Sequence, residues 1–123
     1  MALEEDEMSN KLNIQMTGYS DVLMIVLSGA LDTDTADQFD ESLMASIEQG
    51  WRKIAVDLSQ IEFVSSAGIG VLVGSLNELQ ENDGDMYLVN VPEQVAHVLD
   101  MLALLELFSR YPDQASAINA YNN

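Results

Sequence analysis

The sequence contains no cysteine and only one histidine, His97. The absence of cysteine excludes disulfide bonds, thiolate metal ligands and cysteine nucleophiles. His97 lies beside Val98 in a predicted helix, and an exposed surface position is the simplest interpretation of it. An enzyme needs a general base or a metal ion close to its nucleophile. The sequence therefore argues against catalysis.

Basic residues are scarce in the chain. Four lysines and arginines stand against 21 aspartates and glutamates, which gives a formal net charge of −17. A protein of this charge is repelled by nucleic acids and by anionic membrane surfaces. The same field speeds association with a basic protein surface, although acidity also serves solubility alone. These properties predict a protein partner and exclude nucleic acid and membrane partners.

The chain also lacks a long apolar run. No segment approaches the roughly 20 residues that a membrane-spanning helix needs, and the N-terminus MALEEDEMSN is acidic where a signal peptide is basic. We therefore expect a cytoplasmic protein. Its 123 residues, of which 48% are hydrophobic, suffice for a single domain. We expect residues 1–10 to form a flexible acidic tail and residues 11–121 to form that domain.

The order of apolar patterns predicts a mixed α/β fold. Two strand-like runs come first, and the second of them, VLMIVL at 22–27, is apolar throughout and ends at Ser28-Gly29. Strands at 53–58 and 86–91 then alternate with helical patterns, and an edge strand is expected around Leu107 and Phe108. Such an order favours a mixed β-sheet of four to five strands packed against about four helices.

The segment at 57–74, DLSQIEFVSSAGIGVLVG, carries most of the functional information. It predicts a strand, a tight connection and a helix for which Ser66 is well placed to act as the N-cap. The small residues Ala67, Gly68 and Gly70 leave the first turn open to another molecule. A phosphate on Ser66 would occupy a helix N-terminus, which suits anions.

This segment resembles the signature of STAS domains, the fold of bacterial anti-sigma factor antagonists. The family pattern has a D-[LF]-S-x-[IV]-x-[FY]-[IVM] lead-in, then [DS]-S-[SAT]-G-[IL]-G and an apolar helix. A second landmark is similar to the family's turn before the first helix: Gly29-Ala30-Leu31-Asp32 followed by Thr35-Ala36. Together the two motifs identify the chain as a member of this family, with the resemblance running from about Leu12 to Tyr111.

The resemblance implies a function. Such antagonists bind an anti-sigma factor that is a serine kinase of the GHKL type, and so free the sigma factor. The kinase phosphorylates a serine that matches Ser66, and a phosphatase removes the phosphate. Many phospho-accepting members have aspartate before this serine; here the residue is Ser65, a second candidate acceptor. The implied partner-binding surface consists of Asp32, Thr33, Ser65, Ser66, Ala67, Gly68, Ile69 and Gly70.

Other functions stay open on the sequence alone. The domain could be a non-switching subunit of a larger assembly, such as a lipid-transport ATPase complex or a stress-signalling scaffold. A nucleotide sensor is a third alternative, but the sequence lacks the usual phosphate-binding motifs. A serine hydrolase using Ser66 is a fourth, but the sequence lacks the G-x-S-x-G elbow around this serine. The spacing of Asp32, Asp34 and Asp37 fits neither an EF-hand loop nor a transition-metal site. We expect no cofactor and no metal; weak homodimerisation is left open.

Overall fold

The structure, a computed structural model, describes residues 11–123. The predicted acidic tail, residues 1–10, lies outside the described residues. Five strands are present: β1 (Leu12–Tyr19), β2 (Val22–Leu31), β3 (Lys53–Val64), β4 (Asp85–Val89) and β5 (Ser109–Tyr111). The described helices are α1 (Ala36–Glu48), α2 (Ser66–Glu81), α3 (Glu93–Met101) and α4 (Gln114–Asn122), with a short 3-10 helix at Leu105–Leu107.

The five strands form one mixed sheet in the order β1-β2-β3-β4-β5. Strand β1 is antiparallel to β2, and the remaining pairs are parallel. The antiparallel pair is a hairpin that turns at Ser20 and Asp21, where Ser20 has a positive φ of 60°. The predicted mixed sheet with about four helices is therefore confirmed.

The helices pack on two sides of the sheet. Helices α1, α2 and α3 bury their apolar faces against one side and form the main core with residues such as Phe39, Leu72 and Leu99. Helix α4 packs on the opposite side around Ala117, in a much smaller apolar cluster. The continuously apolar strand β2 lies between the two layers, which explains why nearly every residue of VLMIVL is buried.

Two strand ends differ from the sequence prediction. Strand β2 does not end at Ser28-Gly29 but continues to Leu31, with irregular pairing on either side of Gly29. Gly29 has a φ of +103°, and a Cβ atom there would lie 2.2 Å from the backbone oxygen of Lys11. The glycine thus permits a bulge and a close approach of β1 without ending the strand.

Strand β3 is likewise longer than predicted and runs to Val64 instead of stopping at Leu58. Its pairing with β4 ends at Asp57, whereas its pairing with β2 continues to the pair Leu31 and Val64. The polar residues Ser59 and Gln60 interrupt the apolar pattern, so the sequence predicts a connection and not a strand at this point. As a result, β2 and β3 continue together beyond the end of β4.

Two smaller differences concern the last strands. Strand β4 ends at Val89, earlier than the predicted 91, because Asn90 has a positive φ of 53°. The edge strand lies at Ser109–Tyr111, and the residues expected to form it, Leu107 and Phe108, lie at the end of the 3-10 helix and just after it.

Candidate functional site

The predicted site lies where β2 and β3 end. The two strands are parallel and pair as far as Leu31 and Val64, so the residues that follow them leave the sheet side by side. The backbone N–H of Ser65 donates to the carbonyl oxygen of Leu31 at 2.9 Å. This arrangement brings together two motifs that are about 35 residues apart in the sequence.

Helix α2 is capped by Ser65, not by Ser66 as the sequence predicted. Ser65 has an extended backbone, and its Oγ accepts a hydrogen bond from the N–H of Gly68 at 3.4 Å. Because β3 continues to Val64, Ser65 is the one non-helical residue between strand and helix and takes the cap position. Ser66 becomes the first helical residue, with its side chain exposed and its hydroxyl not used by the cap.

Gly68 has a packing role in this turn. A Cβ atom at Gly68 would lie 2.6 Å from Cγ and 2.9 Å from the backbone oxygen of Leu31. Only glycine therefore lets α2 begin so close to the end of β2. Gly70 and Gly74 differ from it, because a Cβ atom at either position meets nothing within 4 Å. They lie on the open face of α2 and are not needed for packing against the sheet.

The loop between β2 and α1 is organised around Asp32. Its Oδ1 accepts hydrogen bonds from the N–H groups of Asp34 at 3.0 Å and Thr35 at 3.1 Å. The buried Thr35 hydroxyl donates to the carbonyl oxygen of Ala30 at 2.8 Å and accepts from the N–H of Asp32 at 2.9 Å. The sequence offers Asp32 or Thr33 as the N-cap of α1, but Thr35 occupies that position, without a side-chain cap bond.

Lys11, which directly precedes β1, contacts this loop. Its Nζ lies 3.2 Å from Oδ2 of Asp32 and 2.8 Å from Oδ2 of Asp34. The hydrogen bond to Asp34 is the main reason that the pKa of Lys11 is raised. Partial burial acts to raise the pKa of Asp32, but hydrogen bonds from Lys11 and the N–H of Thr35 outweigh it, so this pKa is lowered. Asp32 is thus held as a carboxylate.

The predicted partner-binding residues are not equally accessible. Thr33, Ser66 and Gly70 are exposed, while Asp32, Ser65 and Ala67 are partly buried. Gly68 and Ile69 are buried, and Ile69 belongs to the main core. The surface around the turn is therefore made chiefly by the exposed residues, and the buried pair fixes the position of α2.

Comparison with known proteins identifies the fold and its signature. The family model of the STAS domain matches residues 13–117, which include both motifs and nearly the whole described chain. The chain belongs to the STAS domain family. Among curated proteins, this STAS domain is similar to the anti-sigma-B factor antagonist of Staphylococcus epidermidis, with 29% identity over 96 residues that cover 78% of this chain and 89% of that protein.

Solved structures share the fold. An anti-sigma factor antagonist from Mycobacterium paratuberculosis superposes with a TM-score of 0.83, at 20% identity over 91% of this chain and 95% of the other. The Bacillus cell fate determinant SpoIIAA in its phosphorylated form superposes with a TM-score of 0.73, at 22% identity over 89% and 99% of the two chains. At these identities the likeness concerns the fold.

The remaining chemistry of the STAS domain is sparse. Within residues 11–123, no three or more His, Asp or Glu side chains are grouped so that they could hold a metal ion. His97 is exposed on α3, as the sequence predicted. No helix in this part of the chain is long and apolar enough to cross a bilayer.

Sequence reasoning missed one residue of the site, Lys11. Only the pairing of β1 with β2 brings Lys11 to Asp32, which lies 21 residues further along the chain.

Proposed function

We propose that this STAS domain is a cytoplasmic anti-sigma factor antagonist that acts by binding and not by catalysis. Its partner is an anti-sigma factor serine kinase of the GHKL type, and occupation of that kinase frees a sigma factor for transcription. The observation that carries this proposal is the exposed Ser66 hydroxyl at the N-terminus of a 16-residue helix. The names of the staphylococcal and mycobacterial relatives support the same role.

Phosphorylation of Ser66 switches this binding off. The kinase transfers the γ-phosphoryl group of ATP to the Ser66 Oγ; the new O–P bond replaces the bond to ADP, and the hydroxyl proton passes to a base on the kinase. Mg-ATP belongs to the partner, so the domain itself needs no cofactor. A phosphatase restores the hydroxyl. The phosphorylated form of SpoIIAA, a protein of the same fold, supports this proposal.

The turn tolerates a phosphate without refolding. The backbone N–H groups of Ser66 and Ala67 have no partner within the helix, since the first N–H groups of an α-helix are always left over. They and the helix dipole favour an anion at this point. A phosphate adds about −1.5 to −2 charges. Its bulk and charge fall where the partner would lie, so the complex breaks while the domain keeps its structure.

Ser66 is preferred to Ser65 as the acceptor. The Ser65 hydroxyl accepts the capping hydrogen bond from Gly68, and its side chain is partly buried. Modification of Ser65 would alter the side chain that caps α2, whereas modification of Ser66 would leave the cap unchanged. Asp32, which lies at the neighbouring strand end, forms the rim of this surface together with Thr33.

The proposal is tested with wild-type, Ser66→Asp and Ser65→Ala baits in native lysate. We expect the wild type and Ser65→Ala to capture a GHKL-type serine kinase and Ser66→Asp to lose it. Incubation of the captured kinase with ATP should then place one phosphate on Ser66, located by mass spectrometry of the digested protein.

A different result would favour another function. If wild type and Ser66→Asp capture the same transporter or scaffold, the domain is a non-switching subunit of a larger assembly. Labelling of Ser66 by a serine-reactive probe would indicate a hydrolase. Thermal stabilisation by GTP or ATP would indicate a nucleotide sensor. Detection of phosphate on Ser65, with Ser66 unmodified, would identify Ser65 as the phosphorylated residue of the switch.

A further inference from the structure

A groove lies beside the Ser66 turn, between the projecting end of β3 and helix α3. Its volume is about 290 Å³, and its lining consists of Glu62, Phe63, Val64, Gln94 and Val98. The side-chain amide of Gln94 donates to the backbone oxygen of Glu62 at 3.2 Å. This bond ties the strand end to α3, so the groove is formed before any partner arrives.

Phe63 is unusually exposed for an aromatic residue of this domain. It is 55% exposed, whereas Phe39 is 0% and Phe108 is 4% exposed. Large aromatic side chains dominate the energetics of interfaces when they are buried in a pocket or against a partner. Phe63 lies on the part of β3 that extends beyond its pairing with β4. Together with Val64 and Val98 it offers an apolar contact that the domain leaves uncovered.

The charge around this groove is negative and uncompensated. Glu62 lines the groove, and Glu93 directly precedes the lining residue Gln94 in α3. Both glutamates are exposed, and neither takes part in an ion pair within residues 11–123. All four lysines and arginines are engaged elsewhere. Lys11 contacts Asp32 and Asp34, Lys53 contacts Asp21, Arg110 contacts Glu106, and Arg52 donates to the carbonyl oxygen of Ile47.

We propose that this groove is a second docking point for the partner kinase and receives an apolar side chain flanked by lysine or arginine. The inference rests on the proposed function, because it assigns the same partner to both surfaces. Phe63 and Ser66 are separated by only two residues of the chain and are both exposed, so one partner surface reaches both. Phe63 supplies apolar contact, and Glu62 and Glu93 attract the basic residues.

The two docking points have different tasks. The Ser66 turn senses phosphorylation, because a phosphate there meets the partner directly. The Phe63 groove contributes affinity in a way that does not depend on the modified hydroxyl. Its acidic rim also selects a basic partner segment over an acidic one, since like charges across an interface are costly.

The test measures affinity by titration calorimetry. The probes are the GHKL-type anti-sigma factor kinases encoded in the same genome, each purified and titrated with the domain. We expect Phe63→Ala to weaken binding at least about tenfold, as loss of an aromatic anchor does. The matched control is Met101→Ala, which removes a side chain that is 72% exposed at the far end of α3 and should change affinity less than about twofold. Circular dichroism melts verify that both variants fold.

A charge variant tests the basic occupant. The double substitution Glu62→Gln and Glu93→Gln should slow association several-fold at low salt and flatten its dependence on ionic strength. Stopped-flow association rates at low and high salt give this result directly. If neither the rate nor its salt dependence changes, the occupant is not basic and the proposal fails in that part.

The outcomes separate this inference from the proposed function. If Phe63→Ala binds the kinase like the wild type while Ser66→Asp does not bind, the groove is not a docking point and the switch stands. If none of the kinases binds the wild type, both proposals fail. If the wild type sediments as a dimer and Phe63→Ala as a monomer, the occupant is a second copy of the chain, which also overturns the inference.

Discussion

The two loops that meet at the site are built in opposite ways. The loop before α1, residues 32–35, is closed by hydrogen bonds between the side chains of Asp32 and Thr35 and the surrounding backbone, and by contacts with Lys11. The turn before α2 consists of Ser65 followed directly by the helix, and its side-chain bond is a single contact of 3.4 Å. One loop satisfies its own polar groups, and the other leaves a hydroxyl and N–H groups available.

This difference gives the two segments different roles: the loop before α1 has a structural role, and the turn before α2 is the part that can bind a partner. A loop whose hydrogen-bond donors and acceptors are paired within the loop holds its shape and positions the neighbouring residues. A turn that keeps polar groups free at a helix N-terminus can accept a phosphate or a partner. Gly68 connects the two, because its missing side chain allows α2 to begin against Leu31. Substitutions in the closed part should therefore affect stability, and substitutions in the open part should affect the partner.

The largest effect on stability is expected at the contact between the two loops. Gly68→Ala places a Cβ atom 2.6 Å from Leu31 Cγ and 2.9 Å from its backbone oxygen. Because the backbone oxygen cannot move freely, we expect a loss of about 1–3 kcal/mol in the free energy of unfolding. Urea denaturation followed by circular dichroism measures it.

Gly74→Ala is the matched control for this substitution. It lies on the same helix, but its added Cβ meets nothing within 4 Å. Alanine there should raise the free energy of unfolding by up to about 1 kcal/mol through helix propensity. Equal effects of the two alanines would contradict the close contact at Gly68.

A somewhat smaller effect is expected within the closed loop. Thr35→Val keeps the shape of the buried side chain but removes the hydroxyl that bridges Ala30 and Asp32. The carbonyl and the N–H lose their partner, so we expect destabilisation of about 1–2 kcal/mol. Thr35→Ser, which keeps the hydroxyl, should lose less. A valine variant as stable as the wild type would show that this loop is not held by Thr35.

The N-cap of α2 should contribute less to the free energy of unfolding than the Thr35 hydroxyl does. Ser65→Ala removes the hydrogen bond from Gly68 N–H, and we expect a cost of about 0.5–1 kcal/mol. Ser65→Asp should keep the cap, because aspartate is also a preferred N-cap residue. Thermal and urea denaturation of both variants give the comparison. A serine-to-alanine effect as large as that of Thr35→Val would mean that the turn is as rigid as the loop.

The ion contacts of the closed loop predict a pH effect. Asp32 has a lowered pKa, so it contributes stability that is present above its unfolded pKa of about 4 and is lost as the pH falls through its folded pKa. Lys11→Gln removes one of the hydrogen bonds that lower this pKa. We expect the Asp32 carboxyl to titrate at higher pH in that variant, as measured by carbon-detected NMR. An unchanged titration would show that Lys11 does not contact Asp32 in solution.

The smallest effect on stability is expected at Ser66, in the turn before α2. Ser66→Ala removes an exposed hydroxyl that takes no part in the cap, so the free energy of unfolding should change by less than about 0.5 kcal/mol. The same variant should lose all labelling by the kinase. A large loss of stability would place Ser66 in the framework and would weaken its assignment as a switch.

Sequence reasoning found most of the fold because the apolar periodicity is strong. The apolar run of β2, the alternation of strands and helices, and the STAS motifs are all confirmed. The errors lie where pairing overrides local pattern. The extensions of β2 beyond Ser28-Gly29 and of β3 beyond Leu58 depend on hydrogen bonds between the two strands, which no local pattern displays.

The cap of α2 illustrates the same limit at the scale of one residue. Ser65 and Ser66 have the same side chain, so composition cannot tell which of them caps the helix. The end of β3 at Val64 decides it, because the cap residue must be the first to leave the strand. That single residue makes Ser66, and not Ser65, the accessible hydroxyl.

By itself, the sequence determined the chemistry of this protein: an acidic chain without cysteine, an α/β alternation, and two family motifs around Asp32 and Ser66. Only the tertiary structure decided which side chains meet and which remain open. The pairing of β1 with β2 brings Lys11 to Asp32, and Phe63 is exposed on the part of β3 that extends beyond β4. Such contacts join residues far apart in the chain, and their geometry follows from strand register, which local residue patterns do not encode.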